Sequence, residues 1–178
     1  MICGAAFIFD DKTEAGLRAS WERLADAGVS NFMLGLDYPP HMTLFLAEDI
    51  DMAGLGTELA QAAAEQPPLP VTFSGLGVFP APGGVIYLHP TTTRQLIDLH
   101  ASFWQASVPC VTGPSSIYQP GVWAPHVTLG FRLPREKIGV GINTLLPSHW
   151  PAAGKIVGLI YGTFNLEGGS QLERVMFR

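Results

Sequence analysis

Pro40-His41-Met42-Thr43-Leu44 is echoed 85 positions later by Pro125-His126-Val127-Thr128-Leu129, in a chain of 178 residues. The chain has five His, and two of them share this pentapeptide context. A motif repeated deep in each half points to an internal duplication. If each copy is a strand, its side chains alternate between two faces. His41, Thr43 and Phe45 then share one face, opposite Met42, Leu44 and Leu46. In the second copy His126, Thr128 and Gly130 oppose Val127, Leu129 and Phe131. The second face is apolar in both copies, as a helix-covered sheet face is. Two such strands related by a pseudo-two-fold axis would gather two imidazoles and two hydroxyls around one cleft.

The surrounding pattern alternates strands and helices. Ile2 to Phe9 is a compact apolar run fit for a buried strand. Asp11 offers an N-cap with Glu14 three residues on, Leu17, Trp21 and Leu24 follow at helical spacing, and Gly28 sits at the C′ position. Trp21 reads as core packing. Asn31–Leu36 is expected as a short strand, and Tyr38-Pro39-Pro40 holds the chain extended into His41. A helix from Asp51 to Glu65 stops at Pro67 and Pro68. Val71–Val78 and Val85–Leu88 form a strand pair about a turn with Pro80, Pro82, Gly83 and Gly84. Thr92–Ala106 is a third helix, Val111–Val122 a loop, and a short helix runs from Pro134 to Leu146. Lys155–Leu166 and Leu172–Phe177 close the chain as a hairpin about Gly168-Gly169. His89, His100 and His149 lack a repeated context and read as bystanders, satisfied or at the surface.

This order predicts an α+β fold of two facing lobes and not a parallel dinucleotide-binding sheet. A glycine-rich dinucleotide turn and a Walker A loop are both missing from the sequence. The net charge of −5, with ten Lys plus Arg, argues against a broad surface for gripping long nucleic acid. A small anionic ligand is compatible with it. Cys3 and Cys110 form neither a metal knuckle nor a Cys-x-x-Cys pair, and read as reduced thiols. No apolar run reaches spanning length, and the N-terminal strand lacks the features of a leader, so the expected location is the cytoplasm.

Two His-x-Thr pairs suit in-line displacement at phosphorus. One imidazole acts as base and the other as acid, while Thr43 and Thr128 donate hydrogen bonds to the non-bridging oxygens. Zinc ligation by the two histidines is a weaker reading, because neither motif carries a third ligand. A non-catalytic nucleotide- or RNA-binding module is the alternative to an enzyme. Tyr38, Phe45 and Trp123 are the aromatic candidates for stacking a base, Phe45 by strand parity and Trp123 by its loop position.

The paired motifs, with Gln119-Pro120-Gly121-Val122-Trp123-Ala124 before the second, resemble the two-histidine (2H) phosphoesterase superfamily, and within it the 2′-5′ RNA ligase-like, LigT-type branch. The resemblance implies one domain over residues 1–178 made of two interleaved lobes, with one motif in each. It implies two antiparallel sheets flanked by helices around a central cleft. It further implies a monomeric, metal-independent and cofactor-free phosphodiesterase. Its substrates would be 2′,3′-cyclic phosphates or 2′-5′ linkages on small nucleotides or RNA 3′ ends. By similarity His126 is the base and His41 the acid. The branch often carries a basic residue five positions after the second histidine, where this chain has Phe131. Arg132 follows it, on the cleft face by parity but about 20 Å along the strand from His126, and so reads as a strand-end cation.

Overall fold

The computed structural model describes residues 2–80, 83–146 and 151–178, so the expectations for Pro82 and His149 lie outside it. Nine strands are described: β1 (Ile2–Phe9), β2 (His41–Ala47), β3 (Asp49–Ile50), β4 (Leu69–Phe79), β5 (Gly84–Pro90), β6 (Val111–Thr112), β7 (Val127–Leu133), β8 (Ala153–Phe164) and β9 (Gln171–Met176). The helices are α1 (Asp11–Asp26), α2 (Met52–Ala63), α3 (Arg94–Ser107) and α4 (Arg135–Leu145).

Caps set the helix starts. Asp10 caps α1, one residue before the expected Asp11, because its carboxylate accepts both the Thr13 N–H and the Thr13 hydroxyl at 3.0 Å. Glu14 pairs instead with Arg18 at 2.8 Å. Asp51 caps α2 through the Gly54 N–H, and Thr93 caps α3 through the Leu96 N–H. Gly28 ends α1 with φ 64°, a conformation that costs glycine nothing. The expected strand over Asn31–Leu36 is a 3₁₀ helix, Phe32–Gly35. The Ser30 hydroxyl captures the Phe32 N–H and the Leu36 N–H bonds to the Met33 carbonyl, so these donors are lost to any ladder.

The fold is α+β, and every strand pairing is antiparallel. The large sheet runs β2-β1-β8-β4-β5-β7, with β9 beside β8, and β3 pairs with β6 in a small second sheet. The β2 and β7 groups join because β4 is long. Its first residues, Leu69–Thr72, pair with β8, and the remainder pairs with β5.

The register reveals an axis. Leu69 pairs with Ile156, Pro70 with Lys155 and Val71 with Gly154. Shifting each partner by 85 positions, the motif spacing, maps this set of pairs onto itself about Pro70 and Lys155. The pseudo-dyad carries β4-β5-β7 onto β8-β1-β2, with β5 offset from β1 by 81–83 positions instead of 85. The two motif strands therefore occupy opposite ends of the path. The core between sheet and helices is continuous, with Phe7, Leu17, Trp21, Met42, Leu44, Leu55, Leu59, Phe103, Val127 and Leu129 almost fully buried. Among the described residues no helix is long and apolar enough to cross a membrane.

Candidate active site

A cavity of about 540 Å³ takes in His41, Thr43, His126 and Thr128 together. Two edge strands that are distant along the sheet thus present their motif side chains to one hollow. The remaining polar side chains of its lining are the phenols of Tyr38 and Tyr118, and the rest of the wall is apolar.

Each imidazole is held by the same local device. His41 Nδ1 lies 3.0 Å from the Pro39 carbonyl, and His126 Nδ1 lies 2.8 Å from the Ala124 carbonyl. A carbonyl only accepts, so each Nδ1 carries a hydrogen and each Nε2 of the neutral ring is a free acceptor. Burial lowers the pKa of both rings below the usual histidine value, against the opposing pull of the carbonyl bonds. His41 is lowered further by the charge of His126. A proton on one ring therefore discourages a second on the other.

Strand parity fails just beyond both motifs, in the same way. Ala6 pairs with Thr43 but Ala5 with Phe45, leaving Leu44 as an extra residue. Tyr87 pairs with Thr128 but Ile86 with Gly130, leaving Leu129 extra. These are β-bulges at equivalent positions. They turn the next side chains over, so the cavity receives His41, Thr43 and Leu46 from β2, and His126, Thr128 and Phe131 from the second motif. Gly4 faces the first bulge, where a Cβ would press on the Phe45 carbonyl.

One parity-based expectation, Phe45, is corrected by this, and Arg132 lies where a strand-end cation is expected. Phe45 is absent from the cavity wall, 1% exposed and packed edge-on against Trp104 at 6.3 Å, because the bulge directs it into the core. Arg132 is exposed outside the wall, with φ 55° and its guanidinium 5.4 Å from the Phe131 ring. Trp123 is corrected on other grounds. Its indole N–H donates to the Thr43 carbonyl at 2.9 Å and its ring stacks on His100 at 3.9 Å, so it is buried and offers no face to a ligand. Tyr38 does line the cavity. Its ring lies 5.4 Å from His41, and burial, with Asp37 alongside, raises its pKa to about 12.

The carbonyls around the motifs are pinned from behind. Trp21 donates its indole N–H to the Thr128 carbonyl at 3.1 Å, as Trp123 does to Thr43. His100 Nε2 bonds the carbonyl of the bulged Leu44 at 3.2 Å, and burial pushes its pKa down to about 4, so it stays neutral.

Among the wall residues that the sequence does not single out are Phe79, Phe164 and Tyr118. Phe79 stands 4.9 Å from His126 and Phe164 6.0 Å from His41. They are separated by the same 85 positions as the histidines, and extending that offset along the chain would have found them. Tyr118 comes from the loop before the second motif, and nothing in its own pattern marks it. Its phenol is raised by burial and shares a side-chain hydrogen bond with Thr43. Among the described residues the lining contains no carboxylate or thiolate beside the two imidazoles.

Comparison with known proteins gives a consistent picture. The model of a family described as the 2′-5′ RNA ligase superfamily matches residues 14–151. A Geobacillus kaustophilus (strain HTA426) protein whose name proposes it as a phosphoesterase is 31% identical over 99 residues. That match takes in 54% of this chain and 53% of the relative, so the matched stretch spans about half the length of each. Escherichia coli LigT complexed with 3′-AMP superposes with a TM-score of 0.64 at 13% identity, covering 99% of this chain and 96% of that one. TT0787 of Thermus thermophilus superposes with a TM-score of 0.61 at 15% identity, covering 100% and 98%. Structures of LigT with NADP+ and with ATP also align, with a TM-score of 0.57 in each case, at 15% identity and over 99% of this chain. They cover 96% of the NADP+-bound chain and 97% of the ATP-bound one.

Proposed function

The chain belongs to the 2′-5′ RNA ligase superfamily, and on that premise we propose that it is a metal-independent phosphodiesterase acting by paired histidines. Its substrates are 2′,3′-cyclic phosphates or 2′-5′ linkages on small nucleotides or RNA ends. One observation carries the reading: the repeated motifs direct two imidazoles, each with a free Nε2, and two threonine hydroxyls to one cavity. The 3′-AMP held by a LigT structure supports a small nucleotide as the substrate class.

In hydrolysis of a 2′,3′-cyclic phosphate, His126 Nε2 takes a proton from water as its oxygen attacks phosphorus. The bond from phosphorus to one ribose oxygen breaks, and His41, protonated at Nε2, gives that oxygen its proton. Thr43 and Thr128 donate to the non-bridging oxygens, where charge builds in the transition state. The Tyr118 phenol holds the Thr43 hydroxyl. The pair ends with its proton on the opposite ring and resets through solvent. Formation of the same bond runs these steps backwards.

The test is turnover of uridine 2′,3′-cyclic phosphate in the presence of EDTA. His41→Ala and His126→Ala should each lower kcat by about 10²–10⁴-fold with unchanged thermal melting. A p-nitrophenyl phosphodiester, whose leaving group needs no proton, should rescue His41→Ala and not His126→Ala. Rescue of the other variant reverses the two roles. Binding without turnover, indifferent to both substitutions, would leave a nucleotide-binding module in place of an enzyme.

A further inference from the structure

The wall around the two motifs contains no Lys, Arg, Asp or Glu among the described residues. Its polar groups are the two imidazoles, two threonine hydroxyls and two phenols, set among Phe32, Phe79, Phe131 and Phe164. The working state of the histidine pair carries one proton, so the cavity supplies one positive charge. A phosphodiester carries one negative charge and is neutralised by it. Any further ionised group would be drawn from water into an apolar wall with no partner, which is a large penalty. Arg132 lies outside the wall, with its guanidinium 5.4 Å from the Phe131 ring.

Building on the proposed function, we infer that this cavity selects substrates whose scissile phosphodiester is their sole ionised group. The class is a nucleoside 2′,3′-cyclic phosphate, or a compact 2′-5′-linked dinucleoside, with a free 5′-hydroxyl. Nucleotides bearing a 5′-phosphate or a polyphosphate are disfavoured, and so are RNA ends with their further phosphates, which narrows the substrate class proposed above. The aromatic wall receives the uncharged base and sugar. The same balance favours release: ring opening forms a monoester that ionises a second time, and the cavity has no charge to hold it.

The discriminating positions are Phe131 and Leu46. They occupy equivalent places after the two bulges, and both line the cavity. A lysine at either would bring an ammonium to the wall.

The experiment compares uridine 2′,3′-cyclic phosphate with its 5′-phosphorylated counterpart, by kcat/KM and by equilibrium binding. The wild-type protein should prefer the 5′-hydroxyl form by about ten-fold or more, through KM, as an unpaired charge in an apolar site requires. Phe131→Lys should shrink that ratio, and Leu46→Lys is a second variant should the first fail to fold by thermal melting. A wild-type ratio within about three-fold, or lysine variants that leave the ratio unmoved, would overturn the charge selection while the hydrolytic reading stands. If neither compound is turned over, binding decides. Preferential binding of the 5′-hydroxyl form keeps the selection and removes the hydrolysis, and absent or indifferent binding overturns both.

Discussion

At the scale of single residues, the two histidines matter through what their surroundings do to a proton. Burial makes the charged ring less favourable in both, so each titrates below the ordinary value of 6.5. In the proposed mechanism the active form has one ring protonated and one neutral. As pH rises the pair loses its single proton, and as pH falls it gains a second. Both limbs of the kcat/KM profile should therefore lie below about pH 6.5, with the optimum between them. A bound phosphodiester anion favours the protonated ring, so the kcat profile should sit at higher pH than that of kcat/KM. Steady-state rates across pH 4–9 check both statements, and an optimum for kcat/KM above pH 7 would contradict the burial argument.

At the scale of elements, the decisive feature is a strand that breaks its own period. The motif residues His41, Thr43, His126 and Thr128 were legible in the sequence because they precede the bulges, where counting by two still holds. Phe45 was misplaced because it follows one. A bulge is set by partners remote in sequence: Gly4 yields space for the Phe45 carbonyl, and His100 caps that of Leu44. Neither relation leaves a local trace. Trp123 illustrates the same limit, since its loop position suggested exposure and a contact 80 residues away, to Thr43, buried it. The indole bonds from Trp21 and Trp123 fix the backbone of the residues whose hydroxyls would face phosphate. Replacing Trp123 by Phe removes a buried hydrogen bond of about 1–1.5 kcal/mol. If that bond positions Thr43, kcat should fall by about ten-fold with KM nearly unchanged. A lowered melting temperature with full kcat per folded molecule would assign Trp123 to stability alone. Trp21→Phe should act in the same sense at Thr128.

At the scale of the whole molecule, element order was readable, and the way the halves share one sheet was not. Caps, proline stops and glycine turns are local signals, so most helix and strand positions came through; the exceptions are the 3₁₀ turn after Ser30 and the short β3–β6 pair, which takes Val111–Thr112 out of the expected loop. The joining of β4 to β8 depends on strand length and register between distant segments. Its result is that neither half completes its own strands: β8 lies between β1 and β4, and β4 lies between β8 and β5. Fragments 1–80 and 83–178 should each be largely unstructured alone and should restore native circular dichroism and turnover when mixed. Independent folding of either fragment would contradict the interleaving.

The dyad through Pro70 and Lys155 has a consequence for how a ligand is oriented. A half-length ancestor pairing with itself would have built a hollow with two identical rings, accepting a substrate equally well in either of two opposed poses. Once both copies lie on one chain, that degeneracy can be lifted position by position. Here Leu46 has Phe131 as its counterpart, and Tyr38 stays at the wall while its own counterpart, Trp123, is buried against His100. Those mismatches, more than the matched histidines, are where handedness of approach is written into the molecule.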